Sequence, residues 1–252
     1  MEKNLETYNS SDVVNWYLHL QEILPVERNF FERNSEILKT GKVLDIGIGG
    51  GRTTAYLLPK CKQYTGIDYS KNFVNASKQR FPESDIRCMD ARDLSVFSDN
   101  SFDLINFSFN GLDYMDLEGR INCLIELQRV LKPNGLFFFS THNKDHSSFA
   151  KAPWLLKQNG FLINLKTFLK LLPFFFRNLK NKKFETINKD YSIINDSAHN
   201  YRLLTFYTSI AFLKKQLTDS GFRDFILYTR NGKAIEQDNE AEDWIFIVCR
   251  KA

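Results

Sequence analysis

Residues 42–54, Lys42-Val43-Leu44-Asp45-Ile46-Gly47-Ile48-Gly49-Gly50-Gly51-Arg52-Thr53-Thr54, decide the fold. The first five read as a short buried strand, the glycines as a tight turn, and Arg52 onward as the start of a helix. Glycine has no Cβ, so such a turn can bring bare backbone against a ligand. A second strand-like run, Tyr64-Thr65-Gly66-Ile67-Asp68, ends in an acid 21 positions after Gly47. That spacing suits a carboxylate that accepts ribose hydroxyls.

The turn is not the dinucleotide fingerprint Gly-x-Gly-x-x-Gly/Ala. Counted from Gly47 the third small residue falls on Arg52, and counted from Gly49 it falls on Thr54. What stands here is Asp45-x-Gly47-x-Gly49-x-Gly51. Further on, Ser84 to Leu94 read as a third strand ending in Asp90-Ala91. Ser101-Phe102-Asp103-Leu104-Ile105-Asn106-Phe107-Ser108-Phe109-Asn110 reads as a fourth strand with its exit loop. Gln128 to Phe139 read as a helix end, a Pro133-Asn134-Gly135 turn and a fifth strand. This ordered set, over roughly residues 40–142, resembles the class I S-adenosylmethionine-dependent methyltransferases.

The resemblance implies a doubly wound, seven-stranded, mostly parallel α/β sheet whose last two strands form an antiparallel edge hairpin. S-adenosylmethionine would be the cofactor and S-adenosylhomocysteine the product. Asp45, Gly47, Gly49, Gly51, Arg52 and Thr53 would form the first cofactor segment, and Asp68, Tyr69 and Ser70 the second. Asp90 would accept from the adenine amino group, the amide of Ala91 would meet a ring nitrogen, and Phe107 would complete the set. An acid at the strand end also suits a ligand that carries a sulfonium and an ammonium.

With 252 residues and 43% hydrophobic content, the chain can bury one substantial core. One domain is expected: an N-terminal helical cap (1–40), a core (41–146), a lid insertion (147–200) and a C-terminal helix with edge strands (201–252). Val13, Trp16, Tyr17, Leu20, Ile23 and Leu24 recur at helical spacing, with Asp12 as N-cap and Pro25 as a break. A helix over 202–219 is predicted to end at Gly221, followed by strands at 222–229 and 243–250. No N-terminal apolar run reads as a signal peptide and no long apolar stretch as a membrane span. The four cysteines are scattered, which fits reduced thiols in a cytoplasmic protein, with Cys88 and Cys249 as core fillers.

The net charge of +4 is unevenly distributed. Residues 151–190 hold nine Lys/Arg against two acids, so that segment is +7 and the rest about −3. It contains Trp154 and the run from Phe161 to Arg177, read as one or two amphipathic helices forming a lid.

Methyl transfer needs an aligned nucleophile, exclusion of water and removal of a proton from an O–H or N–H acceptor. After the fourth strand, Asn110 is a candidate to position the acceptor and Asp113 a candidate base, although a turn acid is the simpler reading of Asp113. His142 follows the fifth strand and His199 lies before the predicted last helix; both are candidate acceptor-site residues. His142 and His146 are four apart, but no third ligand joins them, and no metal is expected. Tyr8, Trp16 and Tyr17 are candidates to cover the cofactor, and Tyr191, Tyr201 and Tyr207 to line the acceptor pocket. Three functions stay open: methylation of an O or N atom on a small or medium-sized acceptor, RNA modification through the basic lid, and a membrane-associated, lipid-linked acceptor. A silent interaction protein on the same fold is a fourth.

Overall fold

Val43 to Ile46 are buried to a residue, because β1 (Lys42–Ile46) lies inside the sheet with a strand on either side. The computed structural model describes residues 2–147, 149, 165–237 and 242–252. In chain order, the N-terminal helices are α1 (Glu2–Tyr8), α2 (Ser11–His19), α3 (Pro25–Arg33) and α4 (Ser35–Thr40). After β1 come α5 (Arg52–Leu57), β2 (Gln63–Asp68), α6 (Lys71–Arg80), β3 (Asp85–Cys88) and β4 (Phe102–Phe107). Then follow α7 (Leu117–Val130), β5 (Leu131–Asn143), α8 (Leu165–Asn181), β6 (Thr186–Ile187) and β7 (Tyr191–Ile194). The chain closes with β8 (Thr205–Thr208), α9 (Ile210–Asp219), β9 (Phe222–Tyr228) and β10 (Trp244–Lys251).

Seven strands take the order β3-β2-β1-β4-β5-β10-β9, the first five parallel and β10 antiparallel to both of its neighbours, β5 and β9. The order of the strands reverses between β1 and β4, so a crevice opens at their carboxyl ends, where open α/β sheets bind ligands. Alternate residues feed two cores. Ile105, Phe107, Phe137 and Phe139 pack with Leu124, Leu127, Leu213 and Leu217 of α7 and α9. Leu104, Phe138 and Phe246 pack with Phe30 and Phe31 of α3, and the Phe30 and Phe138 rings stack at 4.2 Å.

The sheet has ten strands among the described residues, three more than expected. β8 pairs in parallel with the far end of β5 (His142 with Tyr207, Asn143 with Thr208), and β7 and β6 add antiparallel to it. The helix expected over 202–219 is therefore β8 followed by α9. Thr205-Phe206-Tyr207-Thr208 is β-branched and aromatic, and the Ser209 hydroxyl accepts from Phe212 N at 3.2 Å, starting the helix at residue 210.

Other boundaries also differ. α2 starts after Ser10 rather than Asp12, and Pro25 opens α3 at its first position, where its missing N–H costs nothing. Cys249 is buried as expected, but Cys88 is exposed because β3 is the edge strand. Trp154 and the run 161–164 of the expected lid lie outside the described residues. No described helix is long and apolar enough to cross a membrane.

Candidate active site

The turn after β1 has Gly47, Gly49 and Gly51 at φ of 65°, 52° and 81°, left-handed values that side chains disfavour. Asp45 holds the turn from beneath. Its carboxylate accepts from Asn106 Nδ2 (2.6 Å), Thr53 Oγ1 (2.7 Å) and the Tyr64 hydroxyl (2.8 Å), and burial pushes its pKa up. Asp45 does not line the crevice, contrary to the expected contact, because its side chain is enclosed beneath the turn by those three donors. Gly51 and Ser70 also stand back. Gly51 caps α5 against the Phe81 ring, and the Ser70 hydroxyl accepts from Phe73 N at the start of α6 and donates to Asn9 Oδ1.

The other expected cofactor residues, Gly47, Gly49, Arg52, Thr53, Asp68, Tyr69, Asp90, Ala91 and Phe107, all line one pocket of about 1060 Å³, a volume that includes its open mouth. Asp68 lies nearly buried at the end of β2. Its oxygens accept from Gly49 N (2.9 Å) and Ser70 N (2.8 Å), yet burial outweighs those bonds and pushes its pKa up to about 6. The next residue carries the plainest mark of a ligand site. The Tyr69 hydroxyl is buried, and no described residue gives it a hydrogen-bond partner. Apolar walls come from Ile48, Met89, Ala91 and Met115. Asp90 lies in the same wall, paired with Arg92 through Nε at 3.0 Å; burial raises its pKa, and the Arg92 bonds more than offset that rise.

The N-terminal helices roof this pocket. Tyr8 and Tyr17 line it, Tyr8 packs edge-on to Tyr69 (6.0 Å) and Tyr114 (5.2 Å), and Tyr17 packs on Phe73 (5.3 Å). Gly50 is where α2 touches the turn: a Cβ there would lie 2.3 Å from Tyr17 O. Arg52 reaches back to α3 and forms a two-pronged pair with buried Glu27, at 2.8 Å from Nη2 to Oε1 and a second bond from Nη1 to Oε2. Its guanidinium also stacks over Phe109 at 4.9 Å.

Three candidate acceptor residues come together beyond Phe109. His142 Nδ1 lies 2.8 Å from Asp113 Oδ2, and its Nε2 lies 3.2 Å from Asn110 Nδ2. Asp113 also accepts from His142 N (2.7 Å), Thr141 Oγ1 (2.6 Å) and Arg120 Nη1 (2.7 Å), and the Asp113–Arg120 pair is fully buried. This corrects the expected role of Asp113 as base, since every approach to its carboxylate is taken. A donor on Nδ1 makes Nε2 the acceptor nitrogen, and Asn110 Nδ2 donates to it. Asn110 Oδ1 is buried with no hydrogen-bond partner among the described residues. Phe109 and Asn110 both hold left-handed backbone (φ 58° and 59°), a costly conformation that recurs at functional loops.

His142 does not line the main pocket. Two rings lie between: Phe109 lines the pocket, packs edge-on to Trp244 at 5.0 Å, and Trp244 packs on His142 at 5.6 Å. Tyr207 lies against the other side of His142 at 4.8 Å, whereas Tyr191 stacks on Phe206. His199 is elsewhere, in the roof, against Tyr8, Trp16 and Tyr17, where burial and the nearby Arg202 lower its pKa. Among the described residues no three His, Cys, Asp or Glu gather as metal ligands.

Sequence reasoning missed Glu27, Gly50, Asn106, Arg120 and Trp244. Asn106 alone had a local signal, a polar residue inside an apolar strand.

Residues 44–139 match the family described as a methyltransferase domain. A ubiquinone biosynthesis O-methyltransferase of Chromobacterium violaceum is 31% identical over 138 residues, 53% of this chain and 57% of that one. The chain thus matches little more than half the length of such curated relatives. A S-adenosylmethionine-dependent methyltransferase of Clostridium acetobutylicum shares the fold at a TM-score of 0.61 and 15% identity, over 100% of this chain and 98% of that one. So does the 1,6-didemethyltoxoflavin N1-methyltransferase of Burkholderia thailandensis, solved with S-adenosylhomocysteine, at 0.54 and 16%, over 99% and 89%. The acid–glycine turn, the strand order and these relatives agree: residues 44–139 match a methyltransferase domain, and the chain has the fold of the S-adenosylmethionine-dependent methyltransferases.

Proposed function

We propose that the protein moves a methyl group from S-adenosylmethionine to an O or N atom of a small or medium-sized acceptor that enters at the Phe109 loop, where Phe109 and Trp244 turn aside to let His142 meet it. The observation that carries the reading is the Asp68–Tyr69 pair: a nearly buried carboxylate and a buried hydroxyl with no described partner line one pocket. Both suit a ligand rich in hydroxyl and amino groups, which the glycine turn leaves room to approach.

S-adenosylmethionine supplies a methyl group on a positively charged sulfur. The chain supplies the rest. Asp68 accepts from the ribose, the walls around Ala91 hold a flat base, and Tyr8 and Tyr17 shut out water. Asp113 fixes the His142 ring through Nδ1; once Asn110 Nδ2 turns from Nε2, that nitrogen would take the proton from the acceptor O–H or N–H while the acceptor–methyl bond forms and the methyl–sulfur bond breaks to leave S-adenosylhomocysteine. Asn110, whose Oδ1 has no described partner, positions the acceptor.

Titration calorimetry with S-adenosylhomocysteine is the first test. We expect binding that Asp68→Ala removes; no affinity for either S-adenosylmethionine or S-adenosylhomocysteine overturns the reading. Labelled S-adenosylmethionine with a panel of phenols and amines then tests the acceptor. We expect His142→Gln to lower kcat by about 10²–10⁴ with cofactor affinity kept.

A further inference from the structure

A surface helix of a water-soluble domain normally turns its apolar side inward. α8 does the opposite over its last turns. Helical spacing puts Phe175, Phe176, Leu179 and Lys180 on one face and Arg177, Asn178 and Asn181 on the other. The polar face is bonded to the protein. Arg177 Nη1 donates to Asn200 O (2.8 Å), Asn178 Nδ2 to Asn195 O (3.2 Å), and buried Asn181 Nδ2 to Tyr201 O (2.9 Å). The apolar face is outward: Phe176 is 62% exposed and Leu179 49%. The next turn and β6 continue the pattern, with Ile187 66% exposed.

The charge around this face is one-sided. Residues 172–190 hold Arg177, Lys180, Lys182, Lys183 and Lys189 against two acids, Glu185 and Asp190. Glu185 Oε1 accepts from Asn195 N at 3.0 Å. The four lysines are exposed. Outward aromatic and aliphatic side chains ringed by lysine are the chemistry of a segment that lies in a lipid interface.

We infer that α8 and the turn after it form a docking surface for an anionic lipid bilayer, with Phe176 and Leu179 entering the headgroup region and the lysines meeting the lipid charge. The polar bonds of α8 run to residues 195–201, the segment that carries His199 into the roof over Tyr8 and Tyr17. Docking thus sets the roof beside the bilayer. If the proposed methyl transfer holds, its acceptor would be a molecule dissolved in that bilayer; the surface itself stands without that reading.

Vesicle flotation of the full chain tests it. Vesicles of phosphatidylglycerol and phosphatidylcholine should carry the protein upward, vesicles of phosphatidylcholine alone should carry far less, and high salt should release it. Lys180→Ala with Lys182→Ala and Lys183→Ala should weaken partition on the order of a hundredfold. Phe176→Ser with Leu179→Ser should weaken it about tenfold or more. Circular dichroism and unchanged S-adenosylhomocysteine affinity establish that both variants are folded. Wild-type protein that stays below the anionic vesicles at low salt overturns the inference, as does wild-type binding by the Phe176/Leu179 variant. So does failure to float combined with a dimer that this variant dissociates, or with tight RNA binding that the lysine variant loses.

Discussion

Asp68 makes the affinity for S-adenosylhomocysteine depend on pH in a way that can be worked out beforehand. Burial raises the free carboxyl to about 6. In the proposed complex it accepts hydroxyl donors, which favour the charged form and return it to about 4, the ordinary range. The bound state thus prefers the deprotonated acid, and affinity falls as pH drops through the free value. Relative to pH 8, binding should be about twofold weaker at pH 6 and about tenfold weaker at pH 5. The energy follows from the same numbers: keeping Asp68 ionised in the empty site near pH 7 costs about 3 kcal/mol, which the ligand's donors offset. Isothermal titration across that range reads the effect directly, and Asp68→Asn should give weak binding with a flat profile. A wild-type constant equal at pH 5 and pH 8 would refute the proposed contact between Asp68 and the ligand.

Three further perturbations probe the frame around the pocket. Gly50→Ala places a Cβ 2.3 Å from Tyr17 O, so α2 must lift; we expect S-adenosylhomocysteine affinity to fall about tenfold. Limited proteolysis should then find new cuts near residues 19–24. Asp113→Asn leaves the buried Arg120 guanidinium without its charge partner, and urea unfolding should show a loss of about 3–5 kcal/mol. In the same variant one of the two carboxylate oxygens becomes an N–H donor; with the amide oxygen kept toward Arg120, the NH2 faces His142 and no longer accepts from Nδ1–H, so methyl transfer should fall while residual folded protein still binds cofactor. Glu27→Gln strands Arg52 and should likewise cost about 3–5 kcal/mol, read by denaturant titration; a change below 1 kcal/mol would mean that solvent reaches the pair.

The parts legible in the sequence are those dictated by local chemistry. Gly47, Gly49 and Gly51 were readable because their backbone is left-handed, and Asp68 because a strand end two elements on has a fixed place in this topology. Gly50 was not readable as a contact, since it needs to be glycine for a tertiary reason, the approach of Tyr17 from 33 residues away. Glu27 and Arg120 look like solvated helix charges; only their pairing with Arg52 and Asp113 makes them interior residues. Asp113 was legible as a turn acid but not as the anchor of His142, a contact 29 residues away in sequence.

The strand at 205–208, expected as helix, makes the largest difference to the surroundings of His142. A helix there would leave the far end of β5 paired on one side only, by β10, and would leave the other edge of His142 open. As a strand, β8 binds that tip through the His142–Tyr207 register pair and brings Tyr207 against the imidazole. β10 closes the other side by pairing Trp244 with His142. His142 is therefore clasped between two strands whose own positions depend on the insertion and on the chain's end. Its Nδ1 is fixed from below by Asp113, and its Nε2 accepts from Asn110 Nδ2 on the side proposed to face an acceptor. The cofactor half of the site is local and repeats a general design. The proposed acceptor half draws on β4, β5, β8 and β10 at once, so its specificity should respond to changes in 186–208 that never touch the glycine turn.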